Sequence, residues 1–230
     1  MMGRRMQSTS LARRVASGTA RLETIPPHSA GIDTSQAPSL AARVVENGIL
    51  AAAMKVFARR GFSATRVEDV LEEAGVARRT FYRYFTSKED VLAAVYELAT
   101  SELLRALDEG SHSVADPLAG VRAAVDLYLD FHVENAALLR VLVEQSVRSD
   151  SALAGHRRRF RAQILRVVVR AAELRGVAPL DGFTYVALVS ALEGVALELL
   201  EGVAPAEELP RAKRAILALV ESGLTNTHVA

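Results

Sequence analysis

Apolar residues recur every three or four positions along the chain from residue 39 onward. This spacing places them on one face of an α-helix, whereas strands would need alternation every second residue, which does not occur here. Ala, Leu, Glu and Arg are abundant, aromatic residues make up 5% and Trp is absent, a composition that favours helices packed through aliphatic side chains. We therefore expect an all-α protein of about nine helices.

Clusters of Gly, Pro, Asn and Ser divide the chain into helical segments. Residues 1–38 mix Ser, Thr, Gly and Arg with a Pro-Pro pair and lack a sustained apolar period, so we expect a disordered tail. Residues 39–90 are predicted to form a small N-terminal head of three helices, and residues 91–230 a larger helical bundle. The predicted helices are 39–60, 66–74, 78–85, 87–107, 118–134, 136–147, 152–175, 181–202 and 206–222.

Residues 67–85 fit the geometry of two short helices joined by a tight turn, the helix-turn-helix. Gly75 lies between the two helices and can adopt the positive φ that such a turn needs. Phe81 and Phe85 are four residues apart and would anchor the second helix inward. Thr65, with Glu68 three residues later, has the spacing of a capping box for the first helix. Ser87, with Asp90, would open the fourth helix in the same way.

The inward anchors leave basic, hydroxyl-bearing and aromatic side chains facing outward on the second helix. Guanidinium groups read guanine edges bidentately, and both Arg and Tyr bind phosphate oxygens. Thr65 and Lys88 lie at helix N-termini, where free backbone N–H groups favour anions. Tyr84 can either pack inside or reach a phosphate. The predicted surface for double-stranded DNA comprises Thr65, Arg78, Arg79, Thr80, Tyr82, Arg83, Tyr84 and Lys88.

The segments GFSATRVEDV (61–70), AGV (74–76), TFYRYF (80–85) and SKE (87–89) resemble the DNA-binding domain of TetR-family repressors. The resemblance implies a homodimer that binds a palindromic operator and is released by a small-molecule ligand in the C-terminal domain. In that family, the residues matching Thr65, Arg78, Arg79, Thr80, Tyr82, Tyr84 and Lys88 commonly touch DNA. The chain departs from the pattern at Ala77, where the family often has Ser, and at Leu71, where it often has a small residue.

The last two predicted helices are expected to form the dimer interface. Each carries an apolar stripe at helical spacing, and a glycine permits close approach of a second chain. The predicted interface residues are Leu188, Ala191, Leu192, Gly194, Val195, Leu199, Ile216, Leu217 and Val220.

A mainly apolar ligand pocket is expected beside the helix over 118–134. Tyr128, Phe131 and His132 place a phenol, a ring and an imidazole near apolar residues of the following helices, Leu139, Val143 and Val168. These six residues form the predicted pocket. The same residues can also be ordinary core residues, and both interpretations remain open at this stage.

Several function classes lack their signatures in this sequence. It has no cysteine, which excludes disulfides, thiolate nucleophiles and thiolate metal sites. It has no GxSxG elbow, P-loop, GxGxxG or HExxH motif, so we expect neither an enzyme nor a cofactor. Asp126, Asp130 and Glu134 share a helix face without a suitably placed histidine, so no metal site is predicted.

The longest apolar stretch of the sequence, residues 183–200, contains two carboxylates. Glu193 and Glu198 interrupt this stretch, so we do not expect it to span a membrane. We expect the protein to be cytoplasmic. The basic run over 156–161 can bind an anionic effector, although a solvated helix face is the favoured interpretation. The competing function is an architectural DNA-binding dimer without an effector. An apolar cavity within residues 91–175 would distinguish a ligand-responsive protein from it.

Overall fold

The computed structural model describes residues 39–111, 116–148, 150–174 and 180–225. Within these residues the chain forms nine α-helices and no strand, which confirms the all-α prediction. The predicted tail, residues 1–38, lies outside the described residues. The helices are α1 Leu40–Arg60, α2 Val67–Ala74, α3 Arg78–Tyr82, α4 Lys88–Ser111, α5 Pro117–Glu134, α6 Ala136–Val147, α7 Ala154–Leu174, α8 Gly182–Glu201 and α9 Pro205–Thr225.

Side-chain caps explain where several helices begin. Ser39 accepts a hydrogen bond from the Ala42 N–H at 3.2 Å, and Asp181 accepts one from the Phe183 N–H at 2.8 Å. Asp116 accepts from two backbone N–H groups of the first turn of α5. The Asp90 N–H donates to Ser87 Oγ at 3.1 Å, so the predicted cap of α4 is confirmed. Each cap satisfies backbone donors that the helix leaves unpaired.

The capping box predicted for α2 lies one residue further along the chain. The Arg66 N–H donates to Asp69 Oδ2 at 2.8 Å, so Asp69 closes the first turn in place of the predicted Glu68. The hydroxyl of Thr65 donates instead to the carbonyl oxygen of Gly61 at 2.6 Å. The prediction was wrong because Thr65 forms a hydrogen bond within the preceding loop, where it stabilises the end of α1.

Packing divides the chain into two compact units. The first comprises residues 39–99 and 137–154, and so includes α1, α2, α3, the beginning of α4 and nearly all of α6. This division differs from the sequence-based boundary at residue 90, because the apolar face of α6 is buried in this unit. Its largest fully buried side chains are Ile49, Leu50, Met54, Phe57, Phe81, Leu92, Leu98, Leu142 and Leu153.

The second unit comprises residues 100–136 and 155–225. In it α9 packs against α5 and α8, and α5 also packs against α8. Lys213 on α9 forms ion pairs with Asp126 and Asp130 on α5, at 3.1 and 2.8 Å. The buried core of this unit consists of Leu103, Leu107, Val125, Tyr128, Leu129, Ile164, Val189, Ala196, Leu199 and Ile216.

Helix α8 is long and apolar enough to cross a membrane, judged by length and composition alone. In this structure it packs against α5 and α9. Its half-buried Glu193 forms an ion pair with Arg161 of α7 at 3.1 Å, and burial raises the pKa of the Glu193 carboxyl. These contacts are those of a helix within a bundle.

Candidate nucleic-acid interface and ligand cavity

A left-handed glycine joins α2 to α3. Gly75 has φ 64° and ψ 31°, as predicted for the turn, and its N–H donates to the Glu72 carbonyl oxygen at 3.3 Å. The Val76 N–H donates to the Leu71 carbonyl oxygen at 3.2 Å. The turn therefore terminates α2 and allows α3 to begin three residues later, at Arg78.

Two aromatic anchors hold α3 in the core of the first unit. Phe81 and Phe85 are both buried, and their ring centroids lie 5.9 Å apart. Helix α3 ends at Tyr82 rather than at the predicted residue 85. The Arg83 and Tyr84 N–H groups donate to carbonyl oxygens three residues back, which tightens the last turn.

The anchored helix presents its basic side chains outward. Arg78, Arg79 and Arg83 are exposed, and Tyr82 retains 46% of its accessible surface. Thr80 and Tyr84 are half-buried. The Arg83 guanidinium lies 5.4 Å from the centroid of the Tyr84 ring. Six of the eight predicted DNA-contacting residues therefore lie together on α3 and in the turn after it.

Thr65 and Lys88, the two residues predicted to bind phosphate at helix N-termini, have hydrogen-bond partners within the protein. The side chain of Thr65 is buried, with 1% of the residue exposed, and its hydroxyl is bonded to Gly61. The Lys88 ammonium donates to the carbonyl oxygens of Phe62 and Thr65, at 3.0 and 2.9 Å, and lies 4.4 Å from the Phe62 ring centroid. Lys88 thereby fastens the α1–α2 loop to the start of α4. The Thr65 hydroxyl is directed into the protein.

Sequence reasoning missed an ion pair at the edge of this surface. Glu68 of α2 pairs with Arg78 at the start of α3, and both side chains are exposed. Their ten-residue separation crosses the turn, so no local spacing rule relates them. The carboxylate gives the Arg78 guanidinium a partner when no DNA is bound.

Basic residues near the end of α1 neutralise acidic residues of α2. Lys55 and Arg59 both pair with Glu73, at 3.3 Å, and their hydrogen bonds lower the pKa of the Glu73 carboxyl despite the opposing effect of partial desolvation. Arg60 pairs with Asp69, and the pKa of Asp69 is lowered, chiefly by its hydrogen bond from the Arg66 backbone. The charges of α2 are thus largely balanced within the head.

The second unit contains a cavity of about 160 Å³. Of the six residues predicted for a pocket, Tyr128 and Val168 line it. Phe131 and His132 lie on α5 without lining it, and Leu139 and Val143 belong to the first unit. The other lining residues are Leu107, Gly120, Val121, Ala124, Val125, Ile164, Val167, Ala171, Ala172, Leu180, Tyr185, Leu188, Val189, Leu192, Ile216 and Val220.

His132 is a buried, neutral histidine next to this cavity wall. Its Nδ1–H donates to the carbonyl oxygen of Tyr128 at 2.8 Å, and its ring stacks on the Tyr128 ring with centroids 4.3 Å apart. Burial lowers its pKa to about 4, although the hydrogen bond to Tyr128 acts in the opposite direction. The imidazole is therefore uncharged at neutral pH, and it packs against the Tyr128 ring.

The predicted dimer stripe lies largely inside the chain. Leu199, Ile216 and Val220 are buried, and Ala191, Leu192, Val195 and Leu217 pack against the core; Leu188, Leu192, Ile216 and Val220 also line the cavity. Leu188, Ala191, Leu192, Val195 and Leu217 are half-buried, so part of each side chain stays accessible and this interface remains a prediction. Of the predicted set only Gly194 is exposed. Among the side chains described on these two helices, the exposed apolar ones are Phe183, Ala187, Leu197, Ala206, Ala215, Ala218 and Leu219.

Residues 49–95, which include the turn at Gly75 and the anchored helix α3, match the model of a family described as bacterial regulatory proteins, tetR family. The match covers the second half of α1, all of α2 and α3, the turn between them and the start of α4. The resemblance to the DNA-binding domain of TetR-family regulators, which the sequence motifs indicated, is thus confirmed over these residues.

Individual relatives support this assignment. The chain is 39% identical over 82 residues to an uncharacterized HTH-type transcriptional regulator, YfiR of Bacillus subtilis, covering 36% of this chain and 38% of that protein. It is 27% identical over 140 residues to the HTH-type transcriptional repressor NicS of Pseudomonas putida, covering 57% and 64% of the two chains. Both matches span less than two thirds of the relative.

A solved TetR-family structure from Pectobacterium atrosepticum superimposes with a TM-score of 0.62 at 25% identity. The superposition covers 79% of this chain and 95% of that one. The similarity of fold thus extends beyond the DNA-binding head to much of the bundle.

Proposed function

We propose that this protein is a cytoplasmic, sequence-specific transcriptional repressor that binds a palindromic operator as a homodimer and is released by a small, mainly apolar effector. The observation that carries the proposal is the exposed face of α3. Arg78, Arg79 and Tyr82 project from a short helix that Phe81 anchors, and Arg83 from its C-cap, inside the segment that matches the family. This is the arrangement of a recognition helix that enters the major groove.

The direct test is the contribution of Arg79 to sequence-specific affinity. An operator is first obtained by selecting bound duplexes from a random pool with the full-length protein. If Arg79 reads a base edge, Arg79→Ala should weaken operator binding by about 1–3 kcal/mol and relax specificity at one position in each half-site. Arg211→Ala is the matched control, because Arg211 is an exposed arginine of α9 that pairs with Glu208. Equal affinities for the parent and both variants would refute the assignment of α3.

The homodimer is proposed to form through the exposed faces of α8 and α9. Leu197 and Gly194 lie on this face of α8, and Ala215, Ala218 and Leu219 on that of α9. A two-fold dimer would place its recognition helices about 34–36 Å apart or a multiple of that distance, which a palindromic operator would match.

Leu197→Arg would place a charge on this surface without disturbing the core, so sedimentation at micromolar concentration should change from dimer to monomer. Leu199→Arg is not an equivalent probe, because Leu199 is buried. A Leu197→Arg variant that sediments as the parent does would contradict this interface.

The cavity favours a ligand-responsive regulator over an architectural DNA-binding dimer. An architectural protein needs only a basic head and an interface, whereas this chain also holds an apolar cavity of about 160 Å³, which extends beyond the predicted residues 91–175 to α8 and α9. An effector that weakens operator binding tenfold must couple to it by about 1.4 kcal/mol, and operator DNA must weaken effector binding by the same factor. Titration of one effector into the free protein and into the operator complex tests this reciprocity.

Repression, as opposed to activation, is supported by the name of one relative, the repressor NicS. A reporter gene placed behind the selected operator should be expressed less when the protein is present. Expression that rises with the protein would show an activator and overturn this part of the proposal.

A further inference from the structure

We infer that the cavity of the second unit selects a compact, electrically neutral, mainly hydrocarbon ligand of one or two rings, and that it rejects carboxylates and acyl-CoA. The inference rests on the proposed function, which it deepens by assigning the chemical class of the effector. It is carried by the composition of the wall, the volume of the cavity and the positions of its small residues.

The wall offers no ionised partner. Of its 18 residues, 16 are Gly, Ala, Val, Leu or Ile, and the two others are Tyr128 and Tyr185. An ionised carboxylate moved from water into such surroundings loses its hydration without gaining a counter-ion, which disfavours its binding. A neutral hydrocarbon gains free energy from the same transfer.

Two half-buried cations of this unit, Arg161 and Lys213, are already paired. Arg161 pairs with Glu193 and donates to Ser190, and Lys213 pairs with Asp126 and Asp130. An anionic ligand would have to compete with these carboxylates for a guanidinium or an ammonium group. The geometry therefore favours a ligand that needs no counter-ion.

The volume limits the ligand to a compact shape. A cavity of about 160 Å³ is close to the engineered apolar cavity of about 150 Å³ that stays dry and binds benzene. The space arises where small residues face it, Gly120 and Ala124 on α5 and Ala171 and Ala172 on α7. It holds one or two rings, and a nucleotide-bearing carrier would have to remain outside it.

The two tyrosines define the polar part of the preference. Tyr128 lies on α5 and Tyr185 on α8, and each brings a phenol to an otherwise apolar wall. A phenolic hydroxyl can donate a hydrogen bond to a carbonyl or hydroxyl oxygen, or accept one from a hydroxyl group. A ring bearing a single hydroxyl or carbonyl group fits this wall better than one bearing several polar groups.

The experiment compares a neutral ligand with its anionic counterpart by calorimetric titration of the full-length, DNA-free protein at pH 7. The probes are 2-naphthol, which is neutral at this pH, 2-naphthoate, which shares its rings but carries a charge, and palmitoyl-CoA. We expect 2-naphthol to bind at least tenfold more tightly than 2-naphthoate, and palmitoyl-CoA not to bind.

Ala171→Phe fills the cavity and should weaken 2-naphthol binding at least tenfold. Ala162→Phe is the matched control, because Ala162 lies on the same helix but is exposed and does not line the cavity. Ala124→Leu fills the space from α5 and replaces Ala171→Phe if that variant does not fold.

Three results would overturn the inference: 2-naphthoate or palmitoyl-CoA binding as tightly as 2-naphthol, 2-naphthol binding that is unchanged in the cavity-filling variants, or no binding of 2-naphthol. Because DNA is absent, the outcome is independent of operator binding. A protein that binds its operator but not 2-naphthol refutes the ligand class alone. A protein that binds 2-naphthol but no DNA sequence refutes the proposed function alone.

Discussion

Lowering the pH from 7 to 5 should destabilise the second unit through a single buried group, His132. Its pKa is about 4 in the folded protein, against an ordinary value of 6.5, because burial disfavours the imidazolium. Between these two values the unfolded chain binds a proton that the folded chain does not. Stability attributable to His132 is therefore complete above pH 6.5 and is lost as the pH falls toward 4.

The magnitude follows from the two pKa values. The full difference corresponds to about 3 kcal/mol, of which about 2 kcal/mol is lost by pH 5. Other groups also titrate over this range, so the informative quantity is the difference between the parent and His132→Gln, which removes the imidazole.

The assay is urea unfolding at pH 7 and at pH 5, followed by circular dichroism at a fixed protein concentration. The parent should lose about 2 kcal/mol more than His132→Gln between the two pH values, because only the parent carries the buried imidazole. If both proteins lose the same free energy, His132 is not the neutral buried group that its packing against Tyr128 indicates.

Two further predictions concern the head. Gly75→Ala should lower stability by about 1–2 kcal/mol, because φ at residue 75 is 64°. Gly48→Ala should raise it by up to about 1 kcal/mol, since Gly48 lies within α1 with open space around it. Thermal denaturation measures both changes, and equal effects of the two variants would contradict the backbone argument. Lys88→Met should lower the free energy of unfolding by about 2 kcal/mol by removing the hydrogen bonds to Phe62 and Thr65; a variant with parental stability and weakened DNA binding would show instead that Lys88 acts only on phosphate.

The head could be predicted closely because its determinants are local. Gly75 terminates α2 through its own φ angle, and Phe81 and Phe85 face the same side because they are four residues apart. The partners of Lys88 were not predictable in this way. Its ammonium bonds to carbonyl oxygens 23 and 26 residues earlier in the chain, and only the folded loop brings them together. The predicted capping role of Thr65 failed for a different reason, because its hydroxyl bonds to Gly61 four residues earlier, a partner as local as the predicted one.

The inner and outer faces of α8 and α9 could not be distinguished from the sequence. Helix α8 is apolar on most of its circumference, so Leu192 and Leu197 satisfy the helical pattern equally well. The structure directs Leu192 toward the cavity and leaves Leu197 exposed. The cavity could not be predicted from the sequence either. Its wall combines residues from α4, α5, α7, α8 and α9, and each of them has the residue type and spacing of an ordinary core residue.

The opposite faces of α8 have different surroundings. Leu188 and Leu192 point toward the cavity, while Ala187, Gly194 and Leu197 lie on the side proposed to meet a second chain. A substitution at one of these positions alters one face and leaves the side chains of the other in place. After a gene duplication, the choice of ligand and the choice of partner can therefore diverge by separate point mutations, and two copies can stop exchanging subunits while they still respond to the same compound.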